Sequence, residues 1–145
     1  MRKKINSEKM AEAIEANKKG SKSKVFKIKA YEYSDKSQDM TLLKGMPVIS
    51  RMTKDYADNN EMFTIKSVTD EIITLIGSNK NDIPIEILTE DFARLFTIAY
   101  CITTHSAQGE SYDFPYTIYE FNKMDARLKY VALSRSTKKS YINII

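Results

Sequence analysis

The stretch Phe96-Thr97-Ile98-Ala99-Tyr100-Cys101-Ile102, running straight into Thr103-Thr104-His105-Ser106-Ala107-Gln108-Gly109-Glu110, decides how this chain is read. Its first half is nearly all apolar or β-prone, with no clean alternation. That pattern predicts a strand buried on both faces, typical of the centre of a parallel α/β sheet. Loops at the carboxyl ends of such strands are where α/β sheets bind ligands. The second half supplies Thr103, Thr104, His105, Ser106 and Gln108, with Ser111 just beyond, around Gly109. Neutral hydrogen-bonding groups of this kind hold phosphate oxygens, and glycine permits close backbone approach. The same residue types also build an ordinary capped turn, which on chemistry alone is the commoner outcome.

Downstream, residues 116–121 read as a second strand after Pro115, and residues 125–134 as a helix with Leu128, Val131, Ala132 and Leu133 inward. Residues 141–145 read as a third short strand. Arg135 follows the apolar helix. A guanidinium held beside a buried helix suits phosphate recognition and can stabilise a transferring γ-phosphate. A surface salt bridge is the commoner fate of a single arginine.

Upstream, residues 5–19 read as a helix capped by Asn6 or Ser7 and stopped by a left-handed Gly20, with Lys18 and Lys19 at its negative end. Residues 25–33 read as a strand, with Phe26, Ile28 and Ala30 on one face. Between 39 and 92 the texture changes. Short apolar runs around Gly45, Phe63, Ile73 and Ile85 alternate with turns, Asp70-Glu71 and residues 77–82 among them. Short strands with turns at that spacing predict a small antiparallel barrel or curled sheet. Residues 90–95 read as a helical turn. The simplest account is one α/β domain, 1–38 and 93–145, interrupted by a β-rich insertion at 39–92.

Composition narrows the function classes. The chain has 145 residues, of which 42% are hydrophobic and 29% charged, as in ordinary globular proteins. No apolar run approaches the roughly 18 residues of a membrane span, and basic Met1-Arg2-Lys3-Lys4 lacks a secretory apolar stretch. No membrane partner is expected. Cys101 is the single cysteine and His105 the single histidine, which rules out a disulfide framework and disfavours a metal site. An intracellular location fits best. The net charge of +4 leans towards a polyanionic partner. No Gly-x-Ser-x-Gly elbow supports a serine hydrolase on His105, and no glycine-rich loop ending in Lys-Ser/Thr supplies a phosphate cradle.

Two signatures together carry a resemblance. Ala99-Tyr100-Cys101-Ile102-Thr103-Thr104-His105-Ser106-Ala107-Gln108-Gly109 resembles motif V of superfamily 1 helicases, and Tyr130-Val131-Ala132-Leu133-Ser134-Arg135 resembles motif VI. The Gln-Gly form is similar to the RecD and Pif branch, and Ser106-Ala107 to the UvrD and Rep form. Leu43-x-Gly45-x-Pro47-Val48, with Asn59-Asn60-Glu61 and Phe63-Thr64-Ile65, looks like the SH3-like barrel that RecD- and Pif-type enzymes insert in their second RecA-like domain. The C-terminal half, including Tyr116-Thr117-Ile118-Tyr119, is similar to helicases of large DNA viruses, which implies viral replication sites as one location. Two departures stand out: Ser106 occupies the place of a usual lysine, and Glu110 precedes the place, here Ser111, where the UvrD form has its acid.

The resemblance implies a RecA-like, P-loop NTPase-type C-terminal helicase domain with an SH3-like insertion, belonging to an enzyme whose N-terminal RecA-like ATP-binding domain lies outside these residues. Arg135 would be the arginine finger and the catalytic residue. Gln108, Gly109 and Glu110 would join Arg135 at the nucleotide, while Thr103, Thr104 and His105 would face single-stranded DNA. The whole enzyme would use ATP and Mg2+, whereas this chain alone would bind neither and hydrolyse nothing. The rival expectation is a non-catalytic nucleic-acid-binding module derived from a helicase.

Overall fold

The computed structural model describes residues 1–20, 22–77 and 83–145. The expected turn at 77–82 therefore falls, beyond Gly77, outside the described residues. The chain divides into two compact units, Met1–Cys101 and Ile102–Ile145.

The first unit opens with helix α1, Arg2–Lys19. It starts earlier than its polar residues predict, so Asn6 and Ser7 lie inside it and cap nothing. Asn6 is fully buried, beside buried Ile5 and Met10. Lys18 and Lys19 sit in the last turn as expected, but Gly20 has φ −112° and no left-handed role. The left-handed residue is Lys22, at φ 50°. Its N–H reaches the Asn17 carbonyl, while the Asn17 side chain holds both the N–H and the carbonyl of Ser23. A side-chain amide thus performs the stop that glycine was expected to perform.

Strand β1, Phe26–Ile28, pairs antiparallel with β2, Met40–Leu42. β1 is shorter than its apolar pattern predicts. Asp39 accepts the Ala30 N–H and Ser37 the Tyr31 N–H, and these polar side chains divert the backbone from the ladder. Strands β3 (Pro47–Ser50), β4 (Met62–Val68), β5 (Ile72–Gly77), β6 (Ile85–Leu88) and β7 (Phe96–Ile98) form a curled sheet in the order β6-β5-β4-β3-β7. Every pairing in it is antiparallel. Alternation works where it is clearest. Phe63 and Ile65 point inward on β4 and Ile73 and Leu75 on β5, with a register shift between Ile65 and Ser67. Asp70-Glu71 forms the expected tight turn, with the Thr69 hydroxyl accepting the Ile72 N–H.

The short helix α2, Thr89–Leu95, delivers Phe92 to the core. Phe92 stacks on Phe96 at 5.4 Å, and Phe63 meets Phe96 edge-on at 5.8 Å. Met40, Leu42, Val48, Ile65, Ile73 and Ile98 complete a core that also takes in Met10.

The apolar run at 96–102 is the main correction. Its strand covers only Phe96–Ile98 and lies antiparallel to β3 at the edge of the sheet. It is buried throughout, as predicted, because α2 supplies Phe92 against it and Asn6 of α1 reaches the Ile98 carbonyl. A short buried run reports burial and is silent about strand direction.

The second unit carries the parallel pair. Strand β8, Tyr116–Ile118, lies beside β9, Ile142–Ile144, with helix α3, Ala126–Leu133, between them in sequence. β8 stops before the predicted Phe121 because Glu120 is left-handed, at φ 55°, and a 3-10 turn, Phe121–Lys123, follows. Asp125 caps α3 by accepting the Leu128 N–H at 2.8 Å. Ala107, Ile118 and Ala132 are the buried apolar side chains of this unit.

Candidate functional site

The 103–110 segment is one tight helical turn that caps itself. The Thr103 Oγ1 accepts the Ser106 N–H at 3.2 Å and shares a hydrogen bond with the Ser106 Oγ at 2.8 Å. The Ala107 N–H points back to the carbonyls of Thr103 and Thr104, and its side chain is buried beneath the turn. The ordinary capped-turn reading is therefore true of the backbone, and it leaves a particular set of groups outside. Thr103, His105, Gln108, Gly109 and Glu110 are exposed, and Thr104 is half-buried. Gly109 sits at φ +90° with open space where a Cβ would stand. Its glycine is required by backbone sign and not by a neighbour pressing close.

Arg135 stands just past α3, half-buried, with its guanidinium spread over three acceptors. Nε donates to the Val131 carbonyl at 3.1 Å, Nη2 to the Ser134 Oγ at 3.0 Å and Nη1 to the Glu110 carbonyl at 2.9 Å. The last bond joins the two sequence signatures directly. The planar fork keeps a fixed orientation because two of its bonds are local to the end of α3. The guanidinium meets the Glu110 main chain; Gln108 is not among its partners. No three His, Cys, Asp or Glu side chains converge as a metal site among the described residues.

Tyr112 is a part of this site that sequence reasoning missed. Its N–H donates to the Arg135 carbonyl at 2.7 Å, and its carbonyl accepts the Thr137 N–H at 3.1 Å. Arg135 is thereby gripped through its side chain by Glu110 and through its main chain by Tyr112. The Tyr112 ring lies 5.5 Å from that of Tyr116, whose hydroxyl donates to the Ala132 carbonyl at 2.7 Å. Burial pushes the Tyr112 phenol above its ordinary range, the Glu110 charge adds to this, and Arg135 opposes it. Burial likewise raises Tyr116, again with Arg135 opposing. Both phenols stay neutral beside the guanidinium. Two aromatic residues four apart flanking a proline were the available signal, although the hydrogen bond to Arg135 comes from the Tyr112 backbone.

No protein-family model matches the chain, and no curated protein matches it. Solved structures do. A Bacteroides Pif1 bound to single-stranded DNA has a TM-score of 0.66 and 18% identity, over 98% of this chain and 37% of that one. A Bacteroides Pif1 helicase in complex with ADP-AlF3 and single-stranded DNA gives 0.59 and 19%, over 92% and 37%. The Candida albicans Pif1 helicase gives 0.61 and 12%, over 99% and 42%. At these identities the likeness is one of fold, a mixed α/β arrangement shared with Pif1 helicases. The chain spans about two fifths or less of their length. The organisms are Bacteroides and Candida albicans, so they lend the expectation of a viral source no support. No helix among the described residues is long and apolar enough to cross a membrane.

Proposed function

We propose that the chain is the C-terminal RecA-like part of a Pif-like DNA helicase, carrying half of an ATP site and part of a single-strand track. In this reading residues 39–92 are the SH3-like insertion in a domain formed by 1–38 and 93–145. The observation that carries it is the 2.9 Å bond from Arg135 Nη1 to the Glu110 carbonyl, which unites two signatures lying 25 residues apart.

The donor set fits the outer end of a triphosphate. A guanidinium fixed at the end of α3 faces a turn that exposes the Gln108 amide and a glycine backbone, and nothing in it can hold the inner phosphates. ATP with Mg2+ would be bound mainly by an N-terminal RecA-like domain and supplies the transferable γ-phosphoryl group. Arg135 then acts as the catalytic arginine, stabilising charge that develops on that group. To do so it exchanges the neutral Glu110 carbonyl for a phosphate oxygen, a stronger, charge-assisted partner. Releasing Glu110 frees the end of the same turn whose start, Thr103, Thr104 and His105, contacts the strand backbone. Nucleotide state and grip on DNA are coupled through one short segment.

The isolated chain is predicted to bind single-stranded DNA with salt-dependent affinity and to hydrolyse no ATP. Turnover by the 145 residues alone, stimulated by DNA, would overturn the half-site reading. Salt-independent or absent DNA binding would overturn the track.

A further inference from the structure

Two guanidiniums of the first unit close on one turn. Arg2 opens α1 and donates from Nη2 to the Lys36 carbonyl at 2.8 Å. Arg51 follows β3 and donates from Nη2 to the Ser34 Oγ. Ser34 and Lys36 belong to the segment between β1 and β2. There the Ser34 N–H bonds the Tyr31 carbonyl at 3.2 Å and the Ser37 N–H bonds the Ser34 carbonyl at 3.1 Å. The Ser34 Oγ also accepts the Lys36 N–H at 3.3 Å. With two donors arriving, that hydroxyl keeps its own O–H to give, and no acceptor for it stands among the described residues.

These cations are not balanced. None of the ion pairs among the described residues includes Arg2, Arg51 or Lys36, nor the turn's own acids, Glu32 and Asp35, which are exposed. Arg51 is half-buried, and its Nη1 is enclosed with no acceptor among the described residues. An enclosed donor left in that state is costly, more so on a charged group. Burial pushes the Arg51 guanidinium below its ordinary value, and the like charge of Arg2 adds to this. Two arginines on one turn, with donors to spare, fit an anion that offers several oxygens. Phosphate does so in the geometry that a guanidinium fork matches. Tyr33 points to the source of that phosphate. It is 80% exposed on the same turn, edge-on to Tyr31 with ring centroids 5.5 Å apart. A ring held out to solvent beside basic groups suits a single strand, whose bases stack while its backbone lies on the cations.

We propose that Arg2, Arg51 and the Ser34 hydroxyl form a phosphate site, which takes one backbone phosphate of a single-stranded nucleic acid whose neighbouring base stacks on Tyr33. Binding gives Arg51 Nη1 a charged acceptor, at the cost of a small outward turn of the guanidinium. The nucleic-acid source rests on the function proposed above, and the phosphate site does not.

The test uses the full 145-residue chain. Arg2→Gln and Arg51→Gln each remove one fork, and Tyr33→Ala removes the ring. Lys19→Ala, an equal loss of charge at the far end of the 18-residue α1, is the control. Arg2→Gln carries the test if Arg51→Gln, with its half-buried side chain, does not fold. Affinity for a labelled oligodeoxythymidine is read over a range of salt. The Ser34 and Lys36 amide resonances are followed as inorganic phosphate is added.

Each arginine variant should weaken oligonucleotide binding about fivefold or more and lower the salt slope by about 1. Tyr33→Ala should weaken it by a similar factor and leave the slope alone. Lys19→Ala should change affinity less than about twofold. Inorganic phosphate should shift both amides saturably in the wild type and far less in Arg2→Gln. Amides that ignore phosphate, with arginine variants that bind like Lys19→Ala, would overturn the site. Amides that respond while none of the three variants alters oligonucleotide affinity would keep the phosphate site and overturn nucleic acid as its source. Wild-type chain that ignores the oligonucleotide would overturn the DNA contact of the proposed function, and the phosphate titration would then decide this site by itself.

Discussion

Truncating Arg135 to alanine should loosen the second unit by an amount that its hydrogen bonds define. Three bonds disappear, to Val131, Ser134 and Glu110, at 2.9–3.1 Å. An intramolecular hydrogen bond contributes about 1 kcal/mol net. The bonds to Glu110 and Ser134 are exposed enough for water to replace the guanidinium, which leaves roughly half of that each. The Val131 bond is half-buried and keeps most of its worth, and the lost aliphatic stem adds a little packing. The sum is about 2 kcal/mol. Urea unfolding followed by tyrosine emission reads it cleanly, since the chain has nine tyrosines and no tryptophan. The loss should be accompanied by faster exchange at the Glu110 amide. A variant within about 0.5 kcal/mol of wild type would refute the idea that the guanidinium holds the turn, because surface substitutions away from such bonds usually change stability by no more than that.

Other perturbations test other parts of the structure. Gly109→Ala, forced into φ +90°, should cost about 1–2 kcal/mol in the same urea experiment, although open space surrounds the new methyl group. Phe92→Ala empties the centre of the first unit and should cost about 3–5 kcal/mol, close to the whole stability of a small domain. Asp125→Ala removes the cap of α3 and should cost about 1 kcal/mol, whereas Asp125→Asn should cost much less. Alkaline pH should destabilise the fold. Burial holds the Tyr112, Tyr116 and Cys101 acids above their unfolded values, so their neutral forms stabilise the fold below those values, and that stability drains away as pH rises through the folded ones. A urea midpoint that stays flat from neutrality past the ordinary phenol range would contradict this.

The regions legible in the sequence are those where a local rule meets no competitor. Strands β4 and β5 and their Asp70-Glu71 turn follow from short apolar runs separated by polar turn residues, and α3 follows from helical spacing. The failures come from groups distant in sequence. Nothing near residues 25–33 announces that Ser37 and Asp39 will take two of their N–H groups. Nothing near Asn6 distinguishes a helix cap from a clamp on Cys101, because the partner is a backbone 95 residues away. Burial of 96–98 was readable, but its antiparallel partner β3 was not, since an all-apolar run carries no register. In the candidate site, the meeting of the 103–110 turn with Arg135 followed from the order of two signatures. The bond itself runs to a main-chain carbonyl, a group every residue possesses, and so no residue type marks it.

The most direct test of the proposed shared ATP site is Arg135→Ala in a longer chain that adds the proposed N-terminal domain to these residues, with DNA-stimulated ATP turnover and single-strand affinity measured side by side. Turnover should fall by about a thousandfold or more, the scale of a lost arginine finger, while affinity changes only a few-fold. Equal loss of both would make Arg135 a DNA ligand, and turnover left intact would remove it from the catalytic site altogether.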